Sequence, residues 1–203
     1  MSSVSRINGF RPVKTLDGKP WTGACNTYFV PSSDATAIYI GDPVKLAGDA
    51  RSASGVPTVT IGGTGAAIVG FVVGVAFEGV GDLPNIPPVT NLNAPIYRAA
   101  STNAYLLVAD DPQLIFEAET SGATFATADV SLNASFAIGT PSTTTGASGA
   151  TIDLSTKATT ANLVLKIVGF PNRPDNAIGD SYTRAYVSIN NHSYKGGTGT
   201  VGV

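Results

Sequence analysis

Apolar and β-branched residues in this chain come in short runs, cut by glycine, proline, asparagine, aspartate and serine. Runs of this kind, punctuated about every eight to twelve residues, read as the strands of a sandwich or barrel. Thr27–Val30 is the first convincing strand, stopped by Pro31-Ser32-Ser33-Asp34. Thr36–Ile40 follows, and Gly41-Asp42-Pro43 turns the chain into Val44–Ala47. Val56–Ile61 alternates and ends in glycines, and Ala67–Glu78 is a long apolar strand whose glycines allow a bulge or a close neighbour. Prolines 84, 87, 88 and 95 make 79–95 a long loop. Ile96–Arg98, Tyr105–Ala109 and Leu114–Glu119 are further strands, and Asp110-Asp111-Pro112-Gln113 joins the last two as a hairpin turn. Phe125–Ala134 is the one candidate helix, 139–149 is loop, and Leu163–Phe170 and Arg184–Asn190 complete the strands.

The pattern divides the chain into an extended N-terminal arm (1–26), a β-rich core domain (27–192) and a flexible tail (193–203). Pro12, Pro20 and the turn glycines keep the arm from forming a helix. The tetrapeptide Ile68-Val69-Gly70-Phe71 recurs as Ile167-Val168-Gly169-Phe170. Four residues of apolar strand vocabulary coincide easily, so two core strands are the plainer reading than a duplication.

Composition narrows the picture. The 203 residues are enough to bury a core without a disulfide or metal staple. Charged residues make up 13%, against about 25% in an average globular protein, so Thr, Ser, Asn and Gly carry the polar surface. These residues suit strands and turns, and a weakly charged exterior favours association. Net charge is −2, with no basic stripe to track phosphates, which argues against nucleic-acid binding. The stretch Ala66–Phe77 is too short and too glycine-broken to span a bilayer, and no secretory signal precedes it.

Candidate chemistry is sparse. His192 is the single histidine and sits beside the tail, a poor support for a catalytic base. Cys25 is the single cysteine and reads as a small apolar residue. One His and one Cys argue against a zinc site, and Asp110-Asp111 reads as a turn rather than a cation site. The glutamates, 78, 117 and 119, sit in no recognisable motif. Gly197-Thr198-Gly199-Thr200-Val201-Gly202 spells a dinucleotide fingerprint without the helix that would make it bind. The expectation is a non-enzyme with no cofactor, no metal and no catalytic residue.

Several segments, in order along nearly the whole chain, resemble a family of capsid cement (decoration) proteins of tailed bacteriophages. They are Asn8-Gly9-Phe10-Arg11-Pro12-Val13, Tyr28–Asp34 with Ile40–Val44, Tyr97–Thr102, Val108–Pro112, Arg173-Pro174-Asp175-Asn176 and Ile189-Asn190-Asn191-His192. The resemblance implies an all-β, jelly-roll-like sandwich or barrel that sits on the outer surface of an assembled head. There it bridges major capsid subunits, acting as a homodimer or homotrimer after synthesis in the bacterial cytoplasm. It transfers no catalytic residue. Phe10, Arg11 and Trp21 are candidate contacts to the capsid or a neighbouring subunit, because aromatic and Arg residues dominate hot spots. Phe10 and Trp21 would equally serve to cover this protein's own core edge. The alternative readings are a head-fibre or tail receptor/glycan-binding module, and a β-fold hydrolase using distant carboxylates or His192.

Overall fold

The short β-branched runs become strands because each buries one face. In the computed structural model, which describes residues 4–77, 96–195, 199 and 201–202, the strands are β1 (Arg11–Thr15), β2 (Asn26–Val30), β3 (Pro43–Ala50), β4 (Pro57–Ile61), β5 (Gly70–Phe77), β6 (Ala104–Ala109), β7 (Leu114–Ser121), β8 (Asn133–Gly139), β9 (Gly149–Ala158), β10 (Leu165–Gly169) and β11 (Arg184–Ile189). The expected all-β class holds: two mixed sheets pack together. The proline-rich loop expected at 79–95, and Glu78, lie outside the described residues.

Each sheet closes on itself. The N-terminal barrel runs β2-β4-β3-β5-β6 and back to β2, with β2–β4 parallel and the other pairs antiparallel. The C-terminal ring runs β7-β9-β8-β10-β11 and back to β7, with β7–β9 parallel and the rest antiparallel. Closure removes most of the free edges that make open sheets associate unselectively. Strand β1 adds to the outside of β7.

The second ring repeats the first strand for strand, and the registers agree. Lys45↔Thr60 and Leu46↔Val59 in one ring answer Ser135↔Asp153 and Phe136↔Ile152 in the other. Val44↔Gly70 answers Ala134↔Leu165. The β5–β6 ladder slips between Val72↔Val108 and Gly74↔Leu107; β10–β11 slips between Ile167↔Val187 and Gly169↔Tyr186. The turn entering β3 has Gly41 at φ 98°, and the turn entering β8 has Ser131 at φ 78°. Their N–H groups donate to Val72 O (2.7 Å) and Ile167 O (2.9 Å), which are equivalent positions. The tetrapeptide echo in the sequence thus falls on equivalent strands but four residues out of register: Val72-Val73-Gly74 is the structural match of Ile167-Val168-Gly169.

Several sequence expectations change. Thr36–Ile40 is not a strand and holds only two isolated bridges, Ile38↔Arg98 and Ile40↔Ala147. Phe125–Ala134 is not a helix: it holds a single 3-10 turn at Thr127–Asp129, and β8 begins at Asn133. The left-handed Ser131 turns the chain there, as Gly41 does in the first ring. Asp110–Gln113 is a turn, with Leu114 N donating to Asp111 O at 3.0 Å, but it is no hairpin. It carries the chain from one barrel to the other, since β6 and β7 are not paired. Ile96–Arg98 is a loop with one bridge, Ile38↔Arg98.

Arg98 has a structural task that its neighbours in sequence do not reveal. Its side chain is fully buried. Nε donates to Thr102 O (2.9 Å), Nη2 to Pro31 O and Asp34 O (2.8 Å each), and Nη1 to Thr36 O. The Asp34 carboxylate lies 3.7 Å away. The guanidinium fork thereby satisfies carbonyls of two loops at one end of the N-terminal barrel, which a turn-rich segment could not pair by itself.

Candidate interaction surface at the seam of the two barrels

The N-terminal segment reaches the seam by crossing under a turn. Gly9 (φ 68°) lies against Gly41, and a Cβ on Gly9 would come within 2.8 Å of Gly41 Cα, so side chains at this crossing are excluded. The crossing delivers Phe10 into the core. Its ring stacks on Phe71 (centroids 4.2 Å apart), and Phe71 in turn meets Phe116 of β7 at 4.7 Å. Phe10, Ile68 and Phe71 share one continuous cluster with Phe116, Ile152 and Val187 of the second ring, so the large core spans the seam. A smaller cluster around Val30, Val59 and Leu106 fills the first ring.

Of the two roles open to Phe10, the structure shows the second: the ring is fully buried in this protein's own core. Arg11 is exposed, with Nε donating to Asn8 O at 3.2 Å. Trp21 is half-buried, its Nε1 donating to Ala24 O at 3.0 Å and its main chain to Val13 O at 3.0 Å. Trp21 walls a groove of about 400 Å³ with Pro20, Ala24 and Leu114, where Lys19 and Asp111 supply charge. The segment expected as an extended arm is therefore docked: residues 11–15 are β1, Gly9 and Phe10 cross at Gly41, and Ser5 and Arg6 are held on β7 by Glu119.

What holds residues 4–8 is a charge cluster. Glu119 accepts from Ser5 Oγ (3.0 Å) and Arg6 N (2.6 Å). Glu117 accepts from Arg173 Nη2 (2.7 Å) and Nη1 (3.2 Å) and from Arg184 Nη1 (3.4 Å). Arg184 also donates to Arg6 O, and Arg6 pairs with Asp175 at 3.2 Å. The bidentate contact with Glu117 holds the Arg173 guanidinium above its ordinary pKa, whereas partial burial and then the Arg184 charge lower that of Arg11. In a chain with so few charges, this is the largest concentration of arginine described, and it binds the N-terminal segment to β7 and β11. Pairing Glu117, Glu119, Arg173 and Arg184 needed the fold, since they lie far apart in the chain.

His192 joins the two barrels from the other side. Tyr194 N donates to its Nδ1 (3.0 Å), which places the ring proton on Nε2, and Nε2 then donates to Asp110 O (3.0 Å). Both nitrogens are engaged, and burial pushes its pKa below the usual value. Both ring nitrogens are thus engaged within the protein, which bears only on the form of the hydrolase reading that uses His192 and not on the one that uses distant carboxylates. Asp110 itself accepts from Tyr28 Oη (2.6 Å) and from Asn26 Nδ2 (3.0 Å to each oxygen). Burial, followed by the bond to Asp110, raises the Tyr28 phenol. Cys25 is half-buried, and burial and then the Asp110 charge raise its thiol, so the reactive thiolate is disfavoured.

Among the described residues no group of three or more His, Cys, Asp or Glu is placed to hold a metal ion. No helix among them is long and apolar enough to cross a membrane. The described end of the tail rests on the second ring, with Gly202 N donating to Thr159 O at 2.9 Å and Lys166 Nζ to Val201 O at 2.8 Å. Comparison with protein-family models, with curated proteins and with solved structures returned no match.

Proposed function

We propose that this chain is a capsid cement protein, which binds the outside of an assembled phage head and bridges major capsid subunits. The observation that carries the reading is where the family-like segments fall. Asn8–Val13 is the crossing and β1; Val108–Pro112 is the inter-barrel link; Arg173–Asn176 holds Glu117; Ile189–His192 carries the histidine that ties the link down. Four of the six segments meet near the seam, and Tyr28–Asp34 and Tyr97–Thr102 meet each other at the Arg98 clamp, as expected if they specify a shared architecture rather than chance strand vocabulary.

The physics of the role agrees with the molecule. Closed barrels resist unselective pairing in solution while the weakly charged surface lets many copies sit close together. Binding only the expanded lattice stabilises that lattice by mass action, and an oligomeric clamp engages several subunits at once. Particles assembled without the chain should release their DNA at lower temperature than complete ones, and purified chain added back should restore the difference. Equal heat resistance with and without it defeats the proposal. One observation favours the receptor or glycan-binding alternative: the Trp21 groove presents an indole beside Lys19 and Asp111. A glycan array with the full chain tests it, and loss of any signal in Trp21→Ala would assign it to that groove.

A further inference from the structure

The repeat exposes an asymmetry between the two rings. In the C-terminal ring, β7 has β11 along one edge, and the first half of its other edge is covered by β1: Arg11↔Glu117, Pro12↔Phe116, Lys14↔Ile115 and Thr15↔Leu114. Strand β9 takes over that edge only from Thr120. In the N-terminal ring, β2 has β6 along one edge and meets β4 at a single pair, Phe29↔Thr58. The registers make Asn26 the equivalent of Phe116 and Thr27 that of Glu117, since Asn26↔Val108 answers Phe116↔Val187. Residues 24–27 are therefore the counterpart of the stretch that β1 covers, and among the described residues no strand pairs with their second edge. Ala24, Asn26 and Thr27 are exposed. The Asn26 side chain is turned to Asp110, and Ala24 O is held by Trp21 Nε1.

We infer that this edge of β2 is a strand-acceptor site, which takes an extended peptide segment of a partner chain running antiparallel to β2. The chemistry of the occupant is read from the strand that fills the equivalent place. β1 is extended, carries Pro12 opposite Phe116 with a register shift before Lys14, brings basic side chains at 11 and 14, and is preceded by an aromatic anchor, Phe10. A Pro within a strand is tolerated at such an edge because only alternate N–H groups face the neighbour. The groove walled by Trp21 and Ala24 adjoins the start of β2 and offers an apolar seat for one bulky side chain, with exposed Asp111 beside it to favour a cation. Main-chain pairing would then give affinity and the groove would give selectivity, as in other strand-addition complexes. The site follows from the repeat alone, whatever surface the chain sits on.

The test uses the full chain and a synthetic peptide of its own residues 9–15, Gly-Phe-Arg-Pro-Val-Lys-Thr, as the probe. Hydrogen exchange of the backbone is followed by mass spectrometry with and without peptide. With peptide at ten times its dissociation constant, amides in 24–27 should exchange roughly tenfold more slowly. A peptide N-methylated at its Arg and Val amides should give no protection, because it cannot form the ladder. Absence of protection at 24–27 with millimolar peptide overturns the proposal. So does protection confined to 114–117, which would mean that the peptide merely replaces β1, and so does equal protection by the N-methylated probe.

Discussion

Replacing Arg98 by Met should cost this protein a large part of its stability without touching any surface residue. The side chain is fully buried and donates to the carbonyls of Pro31, Asp34, Thr36 and Thr102, with the Asp34 carboxylate 3.7 Å away. Hydrogen bonds to a charged donor contribute about 1.5–3 kcal/mol each, so the gross loss over these carbonyls is roughly 6–12 kcal/mol. Removing the guanidinium also removes its own burial cost, and water can reach part of the loops. Breaking a buried ionic network from one side typically leaves a net loss of about 3–5 kcal/mol, the figure expected here. For a chain of this length that corresponds to a melting temperature lower by roughly 6–20 °C. Arg98→Lys should recover little, because an ammonium cannot reach carbonyls fanned around a planar fork. Urea unfolding followed by circular dichroism reads the difference directly. A loss under about 1 kcal/mol, within the range of an ordinary surface substitution, would refute the assignment of Arg98 as the clamp of these loops.

Other consequences can be checked the same way. Gly70 and Gly169 occupy matching places in the tetrapeptide echo but not in the fold: a Cβ on Gly70 would lie 2.3 Å from Ala109 O, whereas one on Gly169 meets nothing within 4 Å. Gly70→Ala should therefore destabilise by at least about 2–3 kcal/mol, and Gly169→Ala should be neutral or stabilising by up to about 1 kcal/mol in the same unfolding assay. His192 has its folded pKa pushed below 6.5 by burial, so the unfolded chain binds the proton more readily. Its contribution is complete above pH 6.5 and is lost as pH falls below that value, with a slope of at most about 1.4 kcal/mol per pH unit. His192→Gln should flatten this part of the stability profile. Glu119→Gln removes the anion that holds Ser5 and Arg6 N, so trypsin should cut after Arg6 roughly tenfold faster, the equivalent of one lost charge-assisted bond, while the barrels stay resistant.

The strands were legible because half-buried β structure leaves a local trace. Tyr28, Val44, Val59, Leu106 and Val187 sit in runs whose alternation or β-branching survives any choice of partner. β1 and β9 left weaker traces. Pro12 argues against a strand in β1 unless the strand is known to lie at an edge, and β9 carries Thr, Ser and Asp between Ala150, Ile152 and Leu154 beside a Thr/Ser/Gly loop. Closure of two rings, and the crossing of Asp110–Gln113 between them, depend on pairings between distant residues that no local pattern records. The repeat was hidden for the same reason: it resides in main-chain register, with few shared side chains, and the one visible echo is displaced by four residues. No local pattern around Arg98, Glu117, Arg173 or Arg184 marks the contacts they make. Their partners are carbonyls and carboxylates brought close only by the fold.

Electron cryomicroscopy of complete particles, with a small tag placed in the exposed 143–145 turn, tests the central claim most directly. The account predicts tag density repeated over the outer face of the shell, at seams between major capsid subunits and in fixed ratio to them. Tag density confined to a tail tip or head fibre, with a bare shell, would contradict it.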